Sequence, residues 1–436
     1  MNNFLVVLSS ITGRVGRIKT DNLSQLLFCC MVVGYFYFGA IDFAGSLSLG
    51  VVSLLVLFSI YYFNDCMRSN GTFQSPHAII SAVLLLILCL YVVYGADFDS
   101  LLKRIIIPIM TIFAVRGVVK STRQANRALV IVAIIVSISC VVAVFQAMDI
   151  DFFWDLRMML DTPSREVRQQ ISDKMRAVGL AYYVAPLSYQ ISAIFPFVIY
   201  LACISRARKK IIIFAIGICI VLGAMAAKSL SSSLAIVVSF LVFMKLNHLL
   251  SIKKLFGFIM VLVFIAIGMS YFNDFDSRFV SKYRASETAR IPSTVVGVKI
   301  LSNVPFGVEN RDELLDLIYC NIEEGTYLAD GQHALDLFRR GFHNCMLTVG
   351  ITYGWAILLA YIWLYLFIFR FAYKAMKNST VGSADYYFYS GAIAYFCAYI
   401  IQSSTHTTGL TTGDPYDWIV IGIILAYKPS RVNSVE

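Results

Sequence analysis

The chain has 436 residues, of which 59% are hydrophobic and only 14% charged, with a mean hydropathy of +0.75 and a formal charge of +10. Apolar runs of about 20 residues recur along it, the length a helix needs to cross a hydrocarbon core, and they predict an all-α polytopic membrane protein. Continuous runs, as opposed to alternating ones, exclude an outer-membrane barrel, and basic residues scattered through short gaps argue against a nucleic-acid partner.

In chain order, Phe4 to Ile11 is a brief apolar stretch followed by Arg14, Arg17 and Lys19. It reads as a cytoplasmic basic segment and not as a cleaved leader. Twelve spans are then expected within a single integral membrane domain, residues 1–436. The first six are Leu23–Ala40, Leu47–Phe63, Ile79–Tyr94, Leu101–Val119, Ala128–Met148 and Val184–Ile204. The second six are Ile211–Ala226, Leu230–Phe243, Leu255–Phe272, Cys345–Phe371, Tyr386–Ile401 and Pro415–Tyr427. The fourth carries Lys103, Arg104 and Arg116 near its ends, where long side chains can snorkel.

With the N-terminus inside, the cytoplasmic segments hold 20 of the 36 basic residues. Of the rest, 13 lie in two long outer loops, 149–183 and 273–344, and the short outer loops hold only Lys103, Arg104 and Lys228. Short loops obey the positive-inside rule and long translocated loops are largely exempt, so both termini are expected in the cytoplasm. Most of the long-loop cations read as solvated surface balanced by neighbouring acids.

The larger loop contains two helical patterns. Val295, Val296, Val298, Ile300 and Leu301 have the spacing of a helix lying along a membrane surface, stopped by Asn303, Pro305 and Gly307. Asp330 then reads as an N-cap for a helix ending at Arg339 and Arg340, with Gly341 as its stop. His343 and Asn344 occupy the turn into the tenth span. A helix N-terminus disfavours imidazolium, so His343 is expected neutral and able to accept a proton. The plainer alternative is that His343 caps the helix, a role Asn344 can also fill.

In the first loop, Arg176 precedes Gly179 and span six, and a guanidinium at such a junction suits a bidentate grip on phosphate. His333, His343 and His406 share the outer side, but their spacing matches no zinc motif. The acidic pairs Asp97/Asp99, Asp149/Asp151 and Asp274/Asp276 read as solvated loop residues, and no metal or cofactor is expected. Cys320 and Cys345 are the cysteines expected on the oxidising face, where a bridge between them would pin the loop near His343.

Several of these residues resemble the O-antigen ligases and the related O-antigen and exopolysaccharide polymerases of bacterial envelopes. The resemblance covers about the last three-fifths of the chain. It rests on His343-Asn344 with Gly354, on Arg290 followed by Pro305-Phe306-Gly307, and on Arg176-Ala177-Val178-Gly179-Leu180 leading into Pro186. It implies a polyprenyl-phosphate glycosyltransferase, GT-C-like in fold and set in the inner membrane. The donor would be an undecaprenyl-diphosphate-linked glycan, and neither a nucleotide sugar nor a metal would be needed. The acceptor would be a second lipid-linked repeat unit or the lipid A core, and partners such as a chain-length regulator are implied.

By the family pattern, Arg176 and Arg290 grip the diphosphate and His343 serves the reaction centre. Arg339 and Arg340 are further diphosphate candidates, and Asn344 and His406, the latter in Ser403–Gly409, are candidates for glycan contact. A Ser-Arg pair usual in the family is replaced by Lys228-Ser229, so Lys228 is the expected substitute cation, and Glu309 stands where a glycine often follows. The polar outer loops favour a polymerase over a ligase. A transporter or flippase is the rival from another class, but mid-span charge and internal repeats are lacking. A purely structural membrane protein is a further rival.

Overall fold

The structure, a computed structural model, describes residues 20–37, 49–62, 75–93, 98–160, 176–249, 293–308, 311–321, 342, 344–406, 409–412 and 414–429. All regular structure among them is helical. The first part runs α1 (Thr20–Tyr37), α2 (Leu49–Tyr61), α3 (Ser75–Val93), α4 (Phe98–Leu101), a π-helical turn (Leu102–Ile106), α5 (Ile107–Val118), α6 (Thr122–Ala147) and α7 (Asp151–Leu160). There follow α8 (Val184–Ile204), α9 (Ala207–Ala226), α10 (Leu230–Leu246), α11 (293–303) and α12 (Arg311–Asn321). The chain closes with α13 (Cys345–Lys377), α14 (Ala384–Thr405), a 3-10 turn (Leu410–Thr412) and α15 (Pro415–Ala426).

Sequence signals account for most boundaries. Ser121, Ser229, Asn344 and Ser383 each cap a helix by accepting a backbone N–H of its first turn. Pro415 opens α15, where its missing N–H costs nothing. Among the described residues four helices are long and apolar enough to cross a membrane: α6, α8, α9 and α13. Shorter apolar helices stand at the expected first, second, third, eighth and twelfth spans; α5 and α14 occupy the fourth and eleventh, and the ninth, Leu255–Phe272, lies outside the described residues.

The fourth expected span is not one plain helix. Ile107 N–H reaches back five residues to the Leu102 carbonyl, which makes the turn around Lys103 and Arg104 π-helical. Pro108 follows at once and has no N–H to donate to the Arg104 carbonyl, so the regular ladder cannot start there. The tenth span also departs from the expected form. Its 33 residues would reach about 50 Å as a straight helix, well beyond a hydrocarbon core. It breaks at Gly354, with φ 83° and ψ 176°.

At the centre stands α8, in contact with α6, α9, α10, α14 and α15, and nearly all its side chains are buried. Helix α15 is buried from Tyr416 to Ala426. By contrast, α9 leaves Ile211, Ile212 and Phe214 exposed and α13 leaves Leu359 and Leu366 exposed, the surface expected of helices that face lipid. A second, smaller apolar cluster joins Val296, Ile300, Val308, Ile318, Phe342, Leu347 and Ile351, and so docks α11 and α12 on the start of α13.

Candidate functional site at the loop-bearing end

The Arg176 segment is built into the bundle. Gln146, at the end of α6, is fully buried, and its Oε1 accepts the N–H groups of Val178 (3.0 Å) and Gly179 (2.8 Å). Its Nε2 donates to the carbonyls of Gly179 (3.1 Å) and Phe153 (3.0 Å). One step on, Ser139 Oγ accepts Leu180 N–H at 2.9 Å. A buried amide in four hydrogen bonds acts as a clamp, because each would leave an unsatisfied group if broken. Arg176 emerges from this clamp exposed at the rim. Crowding by the surrounding chain lowers its pKa through desolvation, which still leaves an arginine charged at neutral pH.

Arg157 of α7 supports the same segment. It is fully buried, its Nε donates to Ala181 O at 2.6 Å, and its guanidinium lies 5.8 Å from the Tyr182 ring. The sequence reading expects most long-loop cations to be solvated and does not single out Arg157, which is buried. The available signal was spacing: Trp154 and Arg157 stand three apart on a helix, so they share a face, and both are buried.

A chain of hydroxyls runs beside this loop. Ser188 Oγ donates to Ser229 Oγ (2.9 Å), Ser229 Oγ lies 3.0 Å from Ser231 Oγ, and Ser231 Oγ lies 2.9 Å from His406 Nε2. Lys228 is exposed next to Ser229, in a left-handed turn with φ 49° between α9 and α10. Half-buried His406 caps the C-terminus of α14, and its ring centroid lies 5.8 Å from that of Tyr189. Tyr189 in turn neighbours Tyr399 at 6.4 Å, and the Tyr399 hydroxyl accepts Leu410 N–H (2.9 Å) and lies 3.8 Å from Cys345 Sγ. Rings and hydroxyls thus connect Ser229 and His406 to the start of α13.

Asn344 is the N-cap of α13: its Oδ1 accepts Leu347 N–H at 3.0 Å. Asn344 thus fills the capping role expected of one of the two residues in this turn. Cys320 and Cys345 are both free, the first exposed on α12 and the second buried in the opening turn of α13, so the expected bridge does not form. His343, Arg290, Arg339, Arg340 and His333 lie outside the described residues, as does the expected helix that begins after Asp330.

The pieces Pro305-Phe306-Gly307 and Gly354 interlock. Val308 N–H donates to Ile351 O and Trp355 N–H to Pro305 O, both at 2.9 Å. A β-carbon on Gly307 would lie 2.6 Å from Thr352 O, and one on Gly354 would lie 2.7 Å from Pro305 O. The break in α13 is therefore where the outer segment pairs with it.

Arg104, expected to snorkel, is instead half-buried, with its guanidinium 5.0 Å from the Tyr353 ring and 5.8 Å from Tyr91. Its turn packs against the 3-10 turn that precedes Asp414. No group of His, Cys, Asp and Glu among the described residues has metal-binding geometry.

The helical architecture and its long apolar helices define the class: a helical integral membrane protein. No family model matches the chain, and no curated protein matches it.

Proposed function

We propose that this chain is a membrane glycosyltransferase that transfers an undecaprenyl-diphosphate-linked glycan to an acceptor hydroxyl on the periplasmic side of a bacterial inner membrane. In this reading the bundle has twelve spans and a GT-C-like fold, with both termini in the cytoplasm. The observation that supports it best is convergence at one end of the bundle. The clamped Arg176 loop, the Lys228–serine–His406 chain and the Asn344-capped start of α13 all belong to the end that carries the two long loops.

The chemistry is a single displacement. The acceptor oxygen attacks the anomeric carbon, the bond from that carbon to the diphosphate breaks, and its electron pair leaves on the diphosphate. The hydroxyl proton passes to a neutral imidazole at His343, and the anomeric configuration inverts. Arg176, Arg290 and Lys228, with Arg339 and Arg340, carry the positive charge that meets the leaving group. Fixed cations beside lipid stabilise such a charge far more than they would in water. Asn344 is held by its cap, so glycan contact in this reading rests with His406 and the serines around it.

The expected acceptor is another lipid-linked repeat unit, which makes the enzyme a polymerase. Replacing His343 by Ala should abolish product by about 100-fold or more while the protein still inserts in the membrane. Near-normal polymer from that variant would remove His343 from the mechanism. In a deletion strain, lipopolysaccharide bearing a single repeat unit supports a polymerase. Unmodified core with retained lipid-linked polymer would instead assign a ligase.

A further inference from the structure

At the opposite end of the bundle, α6, α8 and α9 enclose a groove of about 1330 Å³. Five cations line it: Arg123 and Arg127, one turn apart on α6, and Arg206, Arg208 and Lys209 at the start of α9. No acidic residue among the described residues lines it, and neither α6 nor α9 has an acid in its first turn. The positive ends of both helix dipoles point the same way, so fixed dipoles and side-chain charges repel one another here. Salt-bridged surface cations would relieve that repulsion, and the five make no ion pair among the described residues.

The walls are apolar. Ile131, Ile213 and Ile216 line the groove, which continues onto the exposed face of α9 at Ile212. Within it the Gln25 Nε2 is buried and has no hydrogen-bond partner among the described residues. A positive-inside bias explains basic residues at this end. It does not explain a cavity between three helices.

We propose that this groove binds one anionic phospholipid of the cytoplasmic leaflet, with its phosphate among the arginines and its acyl chains along the isoleucine wall. Clustered cationic charge and an apolar exit toward the bilayer match that ligand class and do not match a soluble anion. The site is remote from the loop-bearing end, so the inference stands apart from the glycosyl-transfer reading.

The test is native mass spectrometry of the full-length protein, delipidated and then given phosphatidylglycerol or phosphatidylethanolamine. One phosphatidylglycerol should be retained in preference to phosphatidylethanolamine, and glycerol phosphate at equal concentration should not displace it. The double variant Arg123→Gln/Arg127→Gln should weaken retention by roughly tenfold or more. Ile131→Trp, which keeps all five cations and fills the groove, should also lose the lipid. Lys374→Gln/Lys377→Gln, with cations removed from the end of α13, should retain it. Equal retention of both lipids, equal loss in the Lys374/Lys377 variant, undiminished binding by Ile131→Trp, or ready displacement by glycerol phosphate would each overturn the proposal.

Discussion

Gly179 has a φ of +61°, and a β-carbon there would stand 2.3 Å from the Ser139 carbonyl oxygen. Backbone and space both demand glycine, because the clash is with main chain that is itself fixed in α6. Gly179→Ala should therefore lower stability by about 1–3 kcal/mol and displace the Arg176 loop. A lowered unfolding temperature in detergent, with weaker binding of a polyprenyl diphosphate, is the expected result. An unchanged melt would show that the clamp at Gln146 yields.

Asp414 is half-buried and crowded, and burial raises its carboxyl to about 6. Gly409 N–H at 2.7 Å and the Thr412 hydroxyl at 3.1 Å oppose the shift, as does the charge of Arg104. Between the ordinary carboxylate value and about 6, the folded protein holds a proton that the unfolded chain has released. Stability from this group is thus full at the acid end, falls as pH rises through that window, and is level above it. Asp414→Asn should flatten this slope in unfolding temperatures measured from about pH 4 to pH 7. A slope unchanged in the variant would place its origin elsewhere.

Among the elements, the paired glycines of α13 and the segment after α11 carry the largest mutual constraint. A β-carbon on Gly307 would meet the backbone of Thr352 and Gly354, one on Gly354 would meet that of Pro305 and Phe306, and two main-chain hydrogen bonds join the two segments. Alanine at either should cost about 1–3 kcal/mol through positive φ and contact. Because both substitutions break one interface, the double variant should lose less than the sum of the two. A thermal double-mutant cycle measures this, and strict additivity would mean that the two sites do not act as a unit. The helix break is what lets α13 begin at the loop-bearing end and still present its remaining turns to the bundle.

For the molecule as a whole, the proposed orientation makes a simple demand on the cysteines. Cys320 is exposed on α12 and Cys345 is buried. An impermeant thiol reagent applied to cells with a permeabilised outer membrane should label the protein, and Cys320→Ser should remove that label. Labelling of Cys320 only after the cytoplasm is opened would reverse the topology and with it the proposed chemistry.

Apolar runs, a capping asparagine and a helix-stopping proline were legible from the chain alone, because span existence and helix starts depend on local chemistry. Asn344 caps α13, and Val184–Ile204 coincides with its expected bounds. The motif pieces Arg176–Leu180, Pro305–Gly307 and Gly354 could be found in one dimension, but their physical purpose could not. Gln146 clamping Gly179, Arg157 buried beneath Tyr182, Ser231 meeting His406 across 175 residues of chain, and Arg104 held between tyrosines are all long-range pairings. Whether a polar side chain is solvated or buried depends on which helix packs over it. Packing of distant segments decided that; at Arg157 the helical spacing from Trp154 pointed to a shared face but not to the partners Ala181 and Tyr182.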